Sequence, residues 1–164
     1  MKTTEPLSVL HEFHRDKLAL RNRHVAVAQL VSDYEFNNAY QYVIAREDVH
    51  LQWIEAALTD LGAVPTEAAA IVIPPRGKKE SFMPLVVDDA RTAAEFVTSW
   101  RARLPEVTNA RNRTMMQVVL GESLEHKRFF EQMMSGRDDL LGRRSNGPGS
   151  PGTGDGVMPV RWVE

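Results

Sequence analysis

Two acid–histidine pairs stand out because their spacing places both members of each pair on one face of a helix. Glu47 and His50 occur in the segment EDVH, and Glu122 and His126 occur in the segment ESLEH. At about 100° per residue, each pair falls inside the apolar stripe of its own segment. Carboxylates and imidazoles are ligands of iron, manganese and zinc. Because buried polar groups need partners, either a shared metal ion or mutual hydrogen bonds must satisfy the four side chains.

Further residues are candidates for the same site. The segment HEFH places His11 and His14 on the first helical stretch, and His14 aligns with apolar residues of that stretch. We expect His14, or else His11, to join the metal ligands; the alternative is that both are surface or interface residues. Near His126, Glu125 is a competing ligand, but the helical wheel places His126 closer to the core axis.

Composition limits the classes of function. The chain has 164 residues, 43% of them hydrophobic and 26% charged, with a net charge of -2 and no cysteine. These values are typical of one soluble globular domain and give no general attraction to nucleic acid or to an anionic membrane. No apolar run is long enough to span a bilayer, and the N-terminus has no leader pattern. We therefore expect a cytoplasmic protein whose metal ligands are His, Asp and Glu.

Four helical stretches must position these side chains. Breaker and capping residues predict helices over about 7–31, 33–61, 90–104 and 108–134, with Asp33 as an N-cap, Gly62 as a C-terminal cap and Asp88-Asp89 capping the third helix. Helices one and two, and helices three and four, are joined by a few residues, which predicts two antiparallel hairpins. Residues 62–88 form a crossover long enough to run the length of a bundle. The fold class is therefore all-α.

Several segments resemble ferritin-like proteins. EDVH resembles the Glu-x-x-His motif of the carboxylate di-iron members, and EAALTDLGAVPTE after it resembles the end of the same helix in rubrerythrins and bacterioferritins. LEHKRFFEQ is similar to the fourth helix of rubrerythrins, and Arg21-Asn22-Arg23 to the first. The resemblance extends over residues 7–134 and implies a ferritin-like four-helix bundle over residues 1–134, with a homodimer or higher oligomer as its assembly.

The resemblance also implies a metal site, which this sequence alters. The family site takes a Glu from each of two helices and Glu-x-x-His from each of the other two. Here the position expected to carry an acid on helix one is Lys17, and Glu95, the mid-helix acid of helix three, points away from the apolar face. We expect one or two iron ions, or manganese or zinc, between helices two and four. The expected ligands are Glu47, His50, Glu122, His126 and His14.

Three classes of function follow from this resemblance. The first is a non-haem iron oxidoreductase that handles dioxygen or peroxide in oxidative-stress defence. The second is a metal-binding or storage module without turnover, and the third is a ferritin-like scaffold with a decayed site that acts through protein–protein interaction. Residues 135–164 are rich in Gly, Pro and Ser and end in the apolar segment GVMPVRWVE. They predict a flexible tail whose apolar end docks on its own bundle, on a dimer mate or on another protein.

Overall fold

Four long α-helices account for most of the chain that the computed structural model describes, which is residues 4–65, 67, 73, 81–137 and 140–141. They are α1 (Thr4–Ala28), α2 (Tyr34–Asp60), α3 (Met83–Arg103) and α4 (Ala110–Met134), with a 3-10 turn at Leu104–Glu106 after α3. These ranges contain no strand, so the prediction of an all-α fold is confirmed for them. Most of the predicted crossover and the segment GVMPVRWVE lie outside the described residues.

The boundaries of α2 follow from capping. The side chain of Asp33 accepts a hydrogen bond from the backbone N–H of Phe36 at 3.0 Å, as predicted for an N-cap. At the other end, Gly62 has φ +74°, a left-handed conformation that glycine adopts without steric cost. Asn109 caps α4 in the same way by accepting from the N–H of Asn112.

Removing the α2 cap gives a first testable prediction. Asp33→Ala is expected to lower the free energy of unfolding by about 1 kcal/mol, because it leaves a backbone N–H of the first turn without its acceptor. Urea unfolding followed by circular dichroism measures the change. Ser32→Ala, at an exposed position just before the cap, is the control and should change the midpoint little. Equal midpoints for Asp33→Ala and the wild type would contradict the assignment of the cap.

Helix α3 begins earlier than the sequence pattern predicts. Its first residue is Met83, with Pro84 in the first turn, where a missing backbone N–H does no harm. The turns before Ala90 are helical because Met83, Leu85 and Val86 pack on the apolar core. The crossover therefore ends at residue 82 and not at 88, and Asp88-Asp89 lie inside the helix instead of capping it.

The helices pack around a common core in the order α1, α2, α4, α3. Cross-helix ion pairs show that α1 runs antiparallel to both α2 and α3, and one such pair together with the ring contact between Tyr42 and Phe129 shows that α2 runs antiparallel to α4. The ion pairs between α1 and α2 are His14–Glu55 and Arg21–Asp48. Those between α1 and α3 are Glu12–Arg103 and Arg23–Asp89. Arg46–Glu122 joins α2 and α4. Helices α2 and α3 are thus parallel and diagonal. The end of α2 and the start of α3 therefore lie at opposite ends of the bundle, separated by the length of a helix, which at 27 residues is about 40 Å.

The core consists of two apolar clusters. One lies toward the start of α1 and includes Phe13, Ile54 and Trp100, and the other lies toward its end and includes Tyr40 and Phe130. Leu140, beyond the end of α4, is buried in the second cluster. None of the helices within the described residues combines the length and apolarity needed to cross a membrane.

Candidate functional site

A layer of buried polar side chains separates the two apolar clusters. Each of the four helices contributes to it, and its members are at most 3% exposed. We call these residues the polar layer: Lys17, His24, Glu47, His50, Asp89, Ser123 and His126. Burying so many polar groups is costly unless each finds a partner, so the contacts inside the layer determine what it can do.

The four residues singled out by the sequence come together here. His50 donates a hydrogen bond from Nε2 to Glu122 Oε2, and the rings of His50 and His126 stack with centroids 6.0 Å apart. Glu47 and His126 interact electrostatically across the layer. Glu122 differs from the others because its side chain is 31% exposed, so it connects the layer to the surface between α2 and α4.

Lys17 lies at the centre of the layer. Its side chain is 0% exposed, and its Nζ lies 2.9 Å from Glu47 Oε2, whose side chain is also 0% exposed. The ammonium also donates to Ser123 Oγ at 3.1 Å and lies 5.4 Å from the centroid of the Phe96 ring. Glu47 Oε2 makes no directional hydrogen bond, but the contact with the ammonium supplies its countercharge. Side chains of α2, α3 and α4 thus surround a cation that α1 contributes.

A second acid, Asp89, anchors the other side of the layer. It accepts hydrogen bonds from Arg23 Nε at 2.7 Å and from the Tyr40 hydroxyl. His24 lies between the two acids. Its Nδ1 donates to Glu47 Oε1, and its Nε2 lies 4.0 Å from Asp89 Oδ1 without forming a hydrogen bond. Burial, with the negative charge of Asp89, raises the pKa of Tyr40, so its hydroxyl remains a donor.

Each carboxylate of this network faces a side-chain cation. Lys17 pairs with Glu47, Arg23 pairs with Asp89, and Arg46 binds both oxygens of Glu122, the shortest contact being 2.8 Å from Nη2 to Oε1. The three pairs balance their charges without any added ion. Paired and hydrogen-bonded carboxylates of this kind do not need a metal to be stable in the core.

The acids are held in their charged forms. Burial alone would raise the pKa of Glu47, but attraction to His24 and Lys17 outweighs it and holds the pKa well below the usual range. Burial also raises the pKa of Glu122, but the hydrogen bonds from His50 and Arg46 outweigh it and lower that pKa to about 2. Both groups are therefore carboxylates at neutral pH.

The two stacked imidazoles are held in the neutral form. Burial is the largest cause that lowers the pKa of His50, and the Lys17 charge adds to it against the hydrogen bond to Glu122. Burial and then the Lys17 charge lower the pKa of His126 to about 3. A neutral imidazole has one nitrogen lone pair to offer. The Nδ1 atom of His50 is buried without a hydrogen-bond partner.

The other candidate ligands lie elsewhere. His14 is buried, but its Nε2 contacts Glu55 Oε1 at 3.0 Å, and no hydrogen bond or ion pair among the described residues joins it to the polar layer. His11 is partly buried on the same helix. Glu125 is exposed and pairs with Arg128 at 2.7 Å. The preference for His126 over Glu125 as the inward-facing residue is confirmed by its burial.

The fit of a metal ion can be judged from these donors. Within the part of the chain that the structure describes, no three His, Asp or Glu side chains converge in a way that could hold an ion. The carboxylate of Glu47 is bound by Lys17 and His24, and that of Glu122 by Arg46 and His50. The arrangement therefore does not fit a resident metal.

Sequence reasoning missed two central members of the layer. The first is His24, which lies seven residues after Lys17, a spacing that returns to the same face of a helix. This spacing could have identified Lys17 and His24 as inward-facing residues. Asp89 was assigned to a helix cap because an acid before an apolar run is a typical start signal. Its partner Arg23 belongs to the segment Arg21-Asn22-Arg23 that carried the family resemblance.

Comparisons with protein-family models, with curated proteins and with solved structures find no match to this chain.

Proposed function

We propose that this chain is a ferritin-like four-helix scaffold in which internal ion pairs take the place of a metal centre, and that it acts through protein–protein contacts. This is the third of the classes that the sequence resemblance implies. The observation that carries the proposal is the Lys17 ammonium, fully buried and 2.9 Å from the acid of the EDVH motif. The non-haem iron oxidoreductase and the iron-storage module both need that acid for a metal.

The ferritin-like part of the proposal is supported by chain direction. Two antiparallel hairpins joined by a long crossover between parallel, diagonal helices is the connectivity of ferritin-like bundles with one crossover. The contacts of α1 with α2 and α3, and of α2 with α4, agree with it. The resemblance of the segments EDVH and LEHKRFFEQ to helices of ferritin-like proteins supports the same proposal.

The surface offers apolar side chains for contacts with a partner. Trp53 on α2 and Val118 on α4 are 37% and 44% exposed, and the Arg46 guanidinium lies 5.9 Å from the centroid of the Trp53 ring. Tryptophan and arginine are the residue types that most often anchor protein interfaces. A second copy of this chain is the proposed partner, as the family resemblance implies. Light scattering of the purified protein tests this, and a monomer at all concentrations would contradict it.

Metal content gives the second testable prediction. We expect the full chain, purified without a metal-affinity step, to carry only traces of iron, manganese and zinc, because each acid of the layer already has a side-chain cation. A Glu47→Ala/Glu122→Ala variant should carry equally little metal, and added ferrous iron should cause no oxygen consumption above that of buffer. Elemental analysis and an oxygen electrode measure both. One or two ions per wild-type chain, absent from the variant, would overturn the proposal.

A metal-binding role remains the second candidate, and one observation favours it. The buried atoms His24 Nε2 and His50 Nδ1 have no hydrogen-bond partner, and nitrogen atoms of this kind are what a metal site requires. The elemental analysis separates the two candidates.

A further inference from the structure

We propose that two copies of this chain associate about a two-fold axis through the surface between α2 and α4, and that Arg46 of each copy then also binds Glu122 of the other. The second copy thereby completes the edge of the polar layer that Glu122, at 31% exposure, connects to the surface. This inference rests on the proposed function, since it specifies where the proposed second copy docks and which residue it contributes.

A stripe of partly or fully exposed side chains follows the seam between these two helices. Its members recur at positions i, i+4, i+7 and i+11 of both helices, which places them on one side of each. We call these residues the α2–α4 face: Tyr42, Arg46, Val49 and Trp53 on α2, and Val118, Glu122, Glu125 and Phe129 on α4. The rings of Tyr42 and Phe129 meet across the seam with centroids 5.7 Å apart. The face is thus largely apolar, with the Arg46–Glu122 pair near its middle.

The position of the exposed apolar side chains distinguishes this face from the rest of the described surface. Trp53 and Val118 are 37% and 44% exposed and lie inside α2 and α4, whereas the other large apolar side chains of similar exposure lie near helix ends or between helices. The seam between α1 and α2 carries ion pairs instead, such as Arg21–Asp48. An exposed apolar patch bordered by charged side chains is typical of a protein–protein contact surface.

The charged centre of the face is complementary to itself. Arg46 donates to Glu122 from Nε and Nη2, and its Nη1 has no acceptor among the described residues. Glu122 Oε1 accepts one of these bonds, whereas a carboxylate oxygen can accept two. A two-fold axis places Arg46 of one copy opposite Glu122 of the other, in both directions at once. Each copy therefore supplies the donor and the acceptor that the other leaves unused.

Trp53 is already held in place for such a contact. The centroid of its ring lies 5.7 Å from that of the His50 ring and 5.9 Å from the Arg46 guanidinium. A side chain that packs on two neighbours before binding loses little rotamer freedom on binding. Tryptophan is also enriched among the residues that contribute most of the binding energy of interfaces. We therefore assign Trp53 as the anchor of the contact between the two copies.

The third testable prediction is that Trp53→Asp dissociates the dimer. We expect the dissociation constant to rise at least about thirtyfold, because the substitution removes the anchor and places a charge in the contact. Sedimentation equilibrium over a range of concentrations measures the constant, and circular dichroism verifies that the helices remain. Tyr34→Asp, at a side chain that is 75% exposed and lies outside the face, is the control and should associate as the wild type does. An unchanged dissociation constant for Trp53→Asp contradicts the inference.

Charge reversal tests the ion pairs between the copies. Arg46→Glu makes the centre of the face doubly negative and Glu122→Arg makes it doubly positive, so each variant alone should be monomeric. Mixed in equal amounts, the two should form a heterodimer, because each reversed charge then faces its opposite. Arg21→Glu and Asp48→Arg reverse a partly exposed pair on α1 and α2. These two controls should each dimerise alone and gain nothing on mixing.

The outcomes distinguish this inference from the proposed function. If the wild type is a dimer but the charge-reversed variants do not associate on mixing, the copies meet through another surface and only this inference fails. If the wild type is monomeric throughout, the proposed partner fails as well. If either charge-reversed variant loses its helical circular dichroism, Trp53→Asp and Val118→Asp decide the question, and a dimer that persists in both contradicts the inference.

Discussion

Glu47→Ala is expected to lower the free energy of unfolding by about 3–5 kcal/mol, the largest loss we expect from any single substitution in this chain. The acid itself contributes little apolar packing. The loss arises because its removal leaves the Lys17 ammonium, at 0% exposure, in an apolar environment without a countercharge. It also removes the acceptor of the His24 hydrogen bond.

A double substitution separates the ion pair from the packing around it. Replacing both members, in Lys17→Met/Glu47→Leu, removes the two charges together and keeps similar volume. Exchanges of buried pairs for apolar residues are often neutral or stabilising by about 1–4 kcal/mol. We therefore expect the double variant to be far more stable than Glu47→Ala, and to fall below the wild type by no more than the loss of the His24 acceptor, about 1–3 kcal/mol. Urea unfolding of the wild type, Glu47→Ala and the double variant measures these differences in the free energy of unfolding.

A surface pair provides the matched control. Glu131 pairs with Lys127 on α4 at 3.1 Å, with side chains 48% and 30% exposed. Glu131→Ala should change stability by about 0.5 kcal/mol or less, since solvent screens exposed pairs. A Glu47→Ala variant that loses no more than Glu131→Ala would mean that the Lys17–Glu47 pair is not buried in solution.

Mild acid is expected to destabilise the protein well above the pH at which its carboxylates titrate. His126 has its pKa lowered from 6.5 to about 3, so between these values the unfolded chain takes up a proton that the folded chain does not. Stability that is present above pH 6.5 is therefore lost as the pH falls. For His126 alone the loss from pH 7 to pH 5 is about 2 kcal/mol. His50, whose pKa is also lowered, adds to it in the same direction.

The acids contribute in a lower range. The pKa of Glu122 falls from 4.5 to about 2 on folding, so its contribution to stability is present above pH 4.5 and disappears as the pH falls toward 2.

The test of the His126 prediction is urea unfolding at pH 7 and pH 5 for the wild type and for His126→Leu. The variant should lose about 2 kcal/mol less than the wild type over this interval. Equal losses in the two proteins would show that His126 is not buried in its neutral form.

The sequence predicted the helices well because their ends depend on local chemistry. Asp33 and Gly62 define the ends of α2 through a side-chain hydrogen bond and a left-handed backbone, and both effects act within a few residues. The start of α3 was not predictable in this way. Proline occurs in loops as well as in the first turns of helices, so Pro84 does not mark the start of a helix. Residues 83–89 are helical because Met83, Leu85 and Val86 pack against distant parts of the core.

The membership of the site was only partly predictable. Glu47 and His126 were found because acids and histidines inside an apolar stripe are conspicuous. Lys17 was noticed as a departure from the family pattern, but a long flexible side chain reaches outward as easily as inward, so its burial could not be read from one helix. His14 was expected to join the site because it lies in an apolar stripe, but it pairs instead with Glu55 on another helix. Which charges meet depends on how the helices pack, and that is a property of the whole fold.

The division of the core by a polar layer has a consequence for how the helices align. A bundle with a continuous apolar core can slide one helix along another by a turn, about 5.4 Å, and exchange one leucine contact for another. In this chain such a slide of α1 would carry Lys17 away from Glu47 and toward the apolar cluster that includes Ile54 and Trp100. The ion pairs therefore determine the axial register of the helices. They make a shifted bundle far less stable than the native one, even though the native one gains little from them.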